Sequence, residues 1–384
     1  MKGASLHPAP PACDLETLIE AFARPLRLEP RRLPTPERQF LQQVHDDCAA
    51  DELSGFSPTD IGAAMAALWK FGEGANGEPL IRLRPWKGES GARRDLLEIV
   101  QDDRPFLVDS IMGEVAEGGY SVRAMVHPVV EVEGGKRRSF IQVHLDPVGE
   151  DRAESLIAAV RAVLTDVRVA VDDFEPMLAL MHRSIEELAA ARIPASEEER
   201  AEALAFLRWL EGERFVFLGA RIYEYPRTAD GGYAHEEPLI TPEGNLGVLR
   251  DESRSVLRRA NEPAILSPHV RRYLETDSPL IVAKSNLRSR VHRRGYMDYV
   301  GVKRYGADGR PSGEVRFVGL FTAEAYEEPV REVPLIRRKA AHVLARANTV
   351  PGGHNEKRLR NIVETYPRDE LFQTSEDELL AIAT

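Results

Sequence analysis

Between Leu96 and Val171 the hydrophobic period changes repeatedly, and this run constrains the fold more than any other part of the chain. Leu96-Leu97-Glu98-Ile99-Val100 is a short apolar run of strand length closed by Asp102-Asp103. Leu107, Ile111 and Val115 then recur at helical spacing, with Pro105 placed for the first helical position and Gly118-Gly119 for a left-handed C-terminal cap. Val122, Ala124, Val126, Val130 and Val132 alternate, Gly134-Gly135 suits a tight primed turn, and Ile141, Val143 and Leu145 alternate on the return, which predicts a hairpin. Leu156, Ile157, Val160, Val163, Leu164, Val167 and Val171 form the stripe of a helix lying on a sheet. The order β-α-β-β-α implies an open sheet with both helices on one face, a layered α+β arrangement of ferredoxin-like type.

The flanking segments read differently. Leu15, Leu18, Ile19 and Phe22, then Phe40, Leu41 and Val44, then Ile61, Met65 and Leu68 have helical spacing; Ser57-Pro58 marks the third start, so residues 1–78 form a helical lead-in. Residues 79–178 form the first module and 179–212 a charged helical connector, in which Ser196 and Glu199 make a capping box. Residues 213–372 are strand-rich at Phe215–Tyr225, Leu280–Ala283, Tyr296–Tyr305 and Val315–Phe321, with turn signals at Asp230-Gly231-Gly232 and Asp308-Gly309. Helices around Ile336–Ala347 and Lys357–Glu364 make this second module α+β as well, with a mainly antiparallel sheet. Within 373–384, Ser375 and Glu378 open a helix that the chain leaves within two turns, so a continuation beyond this segment is expected.

Composition narrows the function. Of 384 residues 43% are hydrophobic and 29% charged, which is globular, and a net charge of −11 disfavours nucleic acid, whose phosphates need clustered cations. Cys13 and Cys48 alone give no disulfide framework or zinc site, and no run is apolar enough for export or membrane spanning, so a cytoplasmic chain without a membrane or metal is expected. Gly-rich phosphate loops, H-E-x-x-H and G-x-S-x-G are missing, and Gly231-Gly232 falls between strands, so no catalytic or cofactor-binding residue is assigned. His127 and His144 lie on opposite hairpin arms, where pairing brings a metal pair into consideration, against the commoner reading as sheet-surface histidines.

Two places attract an anion or a partner. Asp103, Arg104 and Asp109 flank a strand-to-helix turn where free N–H groups and the helix dipole favour a carboxylate, unless Asp102 or Asp103 caps the helix itself. Arg288, Arg290, Arg293, Arg294, Lys303 and Arg304, interleaved with Tyr296 and Tyr299, form a basic stretch suited to an anion pocket, an acidic partner, or a solvated face paired with the many carboxylates.

Three stretches, Arg104-Pro105-Phe106-Leu107-Val108-Asp109-Ser110 with His127-Pro128-Val129, Met297-Asp298-Tyr299-Val300-Gly301-Val302-Lys303-Arg304, and Glu364 to Phe372 through Tyr366-Pro367-Arg368-Asp369, stand in the same order as in one family. With Phe215 to Gly219 and Leu320-Phe321-Thr322, they resemble the N-terminal region of the large bacterial NAD-specific glutamate dehydrogenases. The resemblance implies tandem ACT-like modules in a much longer parent, whose Rossmann-type catalytic domain lies beyond residue 384 and uses NAD to deaminate L-glutamate oxidatively to 2-oxoglutarate and ammonium. It makes this segment a non-catalytic regulatory and oligomerisation region, its partners being its own catalytic region and other copies of the chain. The alternative is an allosteric module that binds an amino acid or another carboxylate. ACT domains that bind amino acids commonly carry glycine just after an Asp-Arg-Pro-like turn; Phe106 stands there and favours a packing role.

Overall fold

The computed structural model describes residues 14–383 except 48–55, 90, 92, 133, 229–233, 235–237, 255–275, 348 and 351. The turn expected at Asp230-Gly231-Gly232 lies outside the described residues. Two compact units emerge, one of residues 1–167 with Arg290–Arg293, the other of 168–289 with 294–384.

The first unit opens with helices α1 (Leu15–Leu26), α2 (Thr35–Asp47) and α3 (Pro58–Gly72). Ser57 and Asp60 form a reciprocal capping box with Pro58 at the first position, so the start of α3 is encoded within four residues. Strands β1 (Leu80–Lys87), β2 (Arg93–Asp102), β3 (Val122–Val126), β4 (Val129–Val132) and β5 (Lys136–Leu145) make an antiparallel sheet in the order β1-β2-β5-β3, with β4 also on β5. The helix α4 (Leu107–Glu117) joins β2 to β3, and α5 (Glu150–Asp172) follows β5. β2-α4-β3-β5-α5 is the split βαβ order read from the periodicity, but the fourth strand position, beside β2, is taken by β1 from the N-terminal side. β1 falls inside the stretch 79–178 but ahead of Leu96, where the expected β-α-β-β-α order begins.

The lead-in packs as well as leads in. Leu18, Phe22, Phe40, Leu41, Val44, Ile61, Met65 and Leu68 share one buried cluster with Leu96, Val100, Ala124, Val126 and Phe140 of the sheet. Phe40 sits 5.2 Å from both Trp69 and Phe140, an aromatic knot between helices and sheet. Alternation turns Leu97, Ile99, Ile141, Val143 and Leu145, all buried, to the opposite face; Ile111 and Val115 of α4 and Val160 and Val163 of α5 are buried as well.

The second unit carries β6 (Phe215–Glu224), β7 (Leu239–Gly247), β8 (Leu280–Ser289), β9 (Gly295–Tyr305) and β10 (Pro311–Phe321), antiparallel in the order β7-β6-β10-β9-β8. It is α+β and antiparallel as expected, but its connectivity differs from that of the first sheet: β8, β9 and β10 form a meander that closes onto β6. Helices α6 (Phe174–Ala190) and α7 (Glu197–Trp209), read as a connector, place Met177, Met181, Phe206 and Leu207 in the main core. The chain ends in α8 (Ala323–Glu327), α9 (Ile336–Arg346), α10 (His354–Thr365), α11 (Arg368–Gln373) and α12 (Glu376–Ala383), whose Ile336, Val343, Leu371 and Leu379 join the same core.

The two faces of this sheet are chemically opposite. Phe217, Ala220, Val300, Val302, Val315 and Phe317 face the core, whereas Arg221, Tyr223, Tyr299, Lys303, Glu314 and Arg316 alternate to the other side and are also buried. No helix among the described residues is long and apolar enough to cross a membrane.

Candidate functional sites

The strand-to-helix turn of the first unit is closed by the chain's own groups. Asp103 does not cap α4: its Oδ1 accepts from Ser139 Oγ at 2.7 Å and its Oδ2 lies 3.2 Å from Arg137, across the sheet. The N-cap is Phe106, with no side-chain capping bond, and Pro105 precedes the cap instead of occupying the first helical position. At φ +69° Phe106 holds the left-handed conformation that glycine adopts freely, so a bulky ring stands where the backbone prefers none. The ring packs 5.2 Å from that of His292, whose backbone N–H donates to Ser110 Oγ at 2.9 Å and whose Nδ1 lies 3.2 Å from exposed Asp109. Arg104 is half-buried beside this turn.

Ser139 joins Asp103 to His127, whose Nε2 is 3.0 Å from its hydroxyl. A nucleophilic triad needs histidine between serine and carboxylate. Here the hydroxyl proton goes to Asp103, Ser139 is fully buried, and the group is a structural relay. The strand register separates the two histidines, because His144 pairs with Ala124. His144 lies 5.3 Å from the Trp86 ring and 2.9 Å from Gln142 Oε1; burial, with Arg94 and Arg84 nearby, pushes its pKa down to about 3, so it stays neutral. Among the described residues no cluster of three or more His, Cys, Asp or Glu is placed to hold a metal.

The basic stretch is divided between the two units. Arg290 and Arg293 belong to the first unit, both exposed, while Arg288 is exposed on β8 opposite Tyr296. Lys303 is 2% exposed and donates to the Thr276 carbonyl at 2.6 Å, and burial pushes its pKa down to about 8. Arg304 points to the opposite side of β9 and pairs with Glu187 at 3.1 Å. Beside Lys303, Glu314 accepts from Tyr299, from Tyr225 at 2.8 Å and from Arg316 at 3.0 Å, and the Arg316 guanidinium lies 3.9 Å over the Tyr223 ring. Burial, reinforced by Glu314, pushes both Tyr299 and Tyr225 far up and keeps them as donors.

A third cluster joins two of the stretches that carry the family resemblance. Lys284 Nζ lies 2.6 Å from Asp298 of β9 and 2.9 Å from Asp369 of α11. Asp298 also faces the Phe321 N–H at 3.3 Å, and Asp369 accepts from Tyr326 at 2.8 Å. Burial alone would lower Lys284, but its two carboxylates more than offset that and hold it above its usual value; burial raises Asp298 against the pull of Lys284. Next to Asp369, Arg368 donates to the carbonyls of Glu328 and Tyr326 at 2.8 and 3.3 Å, so α11 is tied to the sheet and to the loop after α8 by charge. Lys284 was not singled out by sequence, since it carries no motif and its partners are distant along the chain.

These features define an ACT-type α+β unit preceding a sheet with a charged, helix-bound edge. Residues 40–169 match the family model described as glutamate dehydrogenase, ACT1 domain, and residues 333–384 the one described as glutamate dehydrogenase, helical motif 1. The NAD-specific glutamate dehydrogenase of Halomonas elongata is 35% identical over 84% of this chain and 21% of its own length. That of Pseudomonas aeruginosa is 31% identical over 90% and 22%, and that of Mycobacterium tuberculosis 27% over 75% and 17%. The chain thus spans about a fifth of the length of these relatives. An RNA-binding light-oxygen-voltage receptor structure matches 76% of this chain and 94% of its own at 13% identity, with a TM-score of 0.16 that bears no weight on the fold. The chain belongs to the large NAD-specific glutamate dehydrogenase family and corresponds to its N-terminal region.

Proposed function

We propose that this chain is a regulatory and assembly region of an NAD-dependent glutamate dehydrogenase, inactive by itself, whose parent converts L-glutamate to 2-oxoglutarate and ammonium. The observation that carries the reading is topological. Among the described residues every strand pairing is antiparallel, whereas a dinucleotide is cradled at a strand-to-helix turn of a parallel sheet. In this reading NAD and the catalytic residues belong to other parts of a cytoplasmic parent, and this region's partners are the catalytic part and further copies of the chain. Neither nucleic acid nor a membrane enters this reading. Closure of the first turn by Phe106 and His292 supports a packing module over an amino-acid sensor at that place.

A carboxylate effector is the second reading, favoured by exposed Arg288 beside Tyr296, which is 57% exposed. Two measurements separate these readings. The purified segment is expected to form a concentration-independent oligomer by light scattering and to reduce no NAD in the presence of glutamate; a strict monomer or any turnover overturns the assembly reading. Calorimetry with glutamate, aspartate and 2-oxoglutarate tests the sensor, and saturable heat lost on Arg288→Gln supports it.

A further inference from the structure

A groove of about 460 Å³ lies in the second unit between the loop after α8 and the helices α9 and α10. Its floor is apolar: Val330 and Val363 are 3% exposed, and Ala340 and Leu344 lie against the main core. Its rim is cationic, with Arg331, Lys357 and Arg360 all lining it. The carboxylate on the wall, Glu364, is already engaged, its oxygens 3.1 and 3.3 Å from the Val330 N–H. Arg360 shares Glu356 with the Gly352 N–H; among the described residues Arg331 pairs with its neighbour Glu332 and Lys357 forms no ion pair.

Each candidate occupant can be weighed on chemistry. A wholly hydrophilic anion would leave the apolar floor wet, and a neutral apolar molecule would make no use of three cations. A polyanion would be repelled by the net charge of −11 that the chain carries as a whole. An organic anion with one carboxylate and an aliphatic body satisfies both surfaces: guanidinium groups match a carboxylate in two parallel hydrogen bonds, while the hydrocarbon covers Val330, Leu344 and Val363. The volume lies within the range of roughly 300 to 1,000 Å³ common to small-molecule sites. We propose that the groove between α9 and α10 binds a small amphipathic carboxylate. This inference does not depend on the assembly role proposed above.

The test is isothermal titration of the full 384-residue chain with octanoate, with inorganic phosphate and octan-1-ol as matched probes. Saturable one-to-one binding of octanoate is expected, with neither matched probe approaching it. The double variant Lys357→Gln/Arg360→Gln is expected to weaken octanoate about tenfold, as is Arg331→Gln on the separate loop, whereas Arg310→Gln on the β9–β10 turn leaves it unchanged. Unchanged melting of each variant without ligand verifies its fold. Absent octanoate binding, equal binding of phosphate or octanol, or undiminished affinity in both rim variants overturns the proposal.

Discussion

Lys284 Nζ lies 2.9 Å from Asp369, joining a strand of the second sheet to the helical segment that matches the family's helical motif. The same ammonium serves Asp298, which is 2% exposed, so removing it strands a buried carboxylate. Lys284→Met is expected to destabilise the second unit by about 2 kcal/mol, a figure reduced for the partial exposure of Lys284. Adding Asp298→Asn should recover part of that loss in urea unfolding. Independent, additive losses would show that the two groups do not act as a pair.

The pH dependence of this cluster has a definite sign. Asp298 is raised above its ordinary value of 3.8, so the folded state holds its proton more tightly than the unfolded chain does. Its contribution therefore favours the fold at low pH and weakens as pH rises from about 3.8 through the raised value. Asp298→Asn should flatten the stability profile there; a steeper fall toward acid in the wild type than in the variant contradicts the assignment.

Asp173 behaves oppositely. Burial opposes its charge, but Arg250 at 2.5 Å and the Gly247 N–H at 2.6 Å hold it below 3.8. Its stabilisation is present above the unfolded value and lost as pH falls through the lower folded value. Asp173→Asn is expected to cost about 2 kcal/mol near neutrality. The deficit against wild type should shrink below about pH 3.8, and a deficit unchanged in acid would rule out a charge-based role.

Phe106 at φ +69° separates backbone from side-chain energetics. Phe106→Ala loses the contact with His292 and keeps the strained backbone, whereas Phe106→Gly loses the same contact and relaxes it. The glycine variant should be more stable than the alanine variant by about 1 kcal/mol. Alanine equal to or better than glycine in chemical unfolding would show that the turn is not strained.

Gly301 sits where the buried polar face is tightest. A Cβ there would collide with Glu314 Oε1 and stand 2.5 Å from the Tyr299 hydroxyl. Gly301→Ala should cost about 1 to 3 kcal/mol, and ultraviolet titration should find a phenol that ionises at lower pH than in wild type as the network opens. Wild-type stability in this variant would mean that the face has room to spare.

Local signals account for what was legible in the sequence. The capping boxes expected at Ser196 and Ser375 span four residues each and both close, and Ser57, expected as an N-cap, forms a box with Asp60 as well. The β-α-β-β-α run was visible because alternation and helical spacing differ within a few residues. The cap of α4 was misread, since Asp103 met a stronger claim from Ser139 and Arg137 across the sheet.

Periodicity and caps by themselves determined that the chain is α+β, that helices precede the first sheet, and where most strands and helices run. Only the tertiary structure decided that β1 fills the open edge, that Lys303 is buried while Arg304 faces the other way, and that Lys284 meets Asp298 and Asp369. The physical reason is range. Periodicity records which face of an element is apolar, but the partner of a charge is chosen by strand register and helix packing, which join residues far apart in sequence.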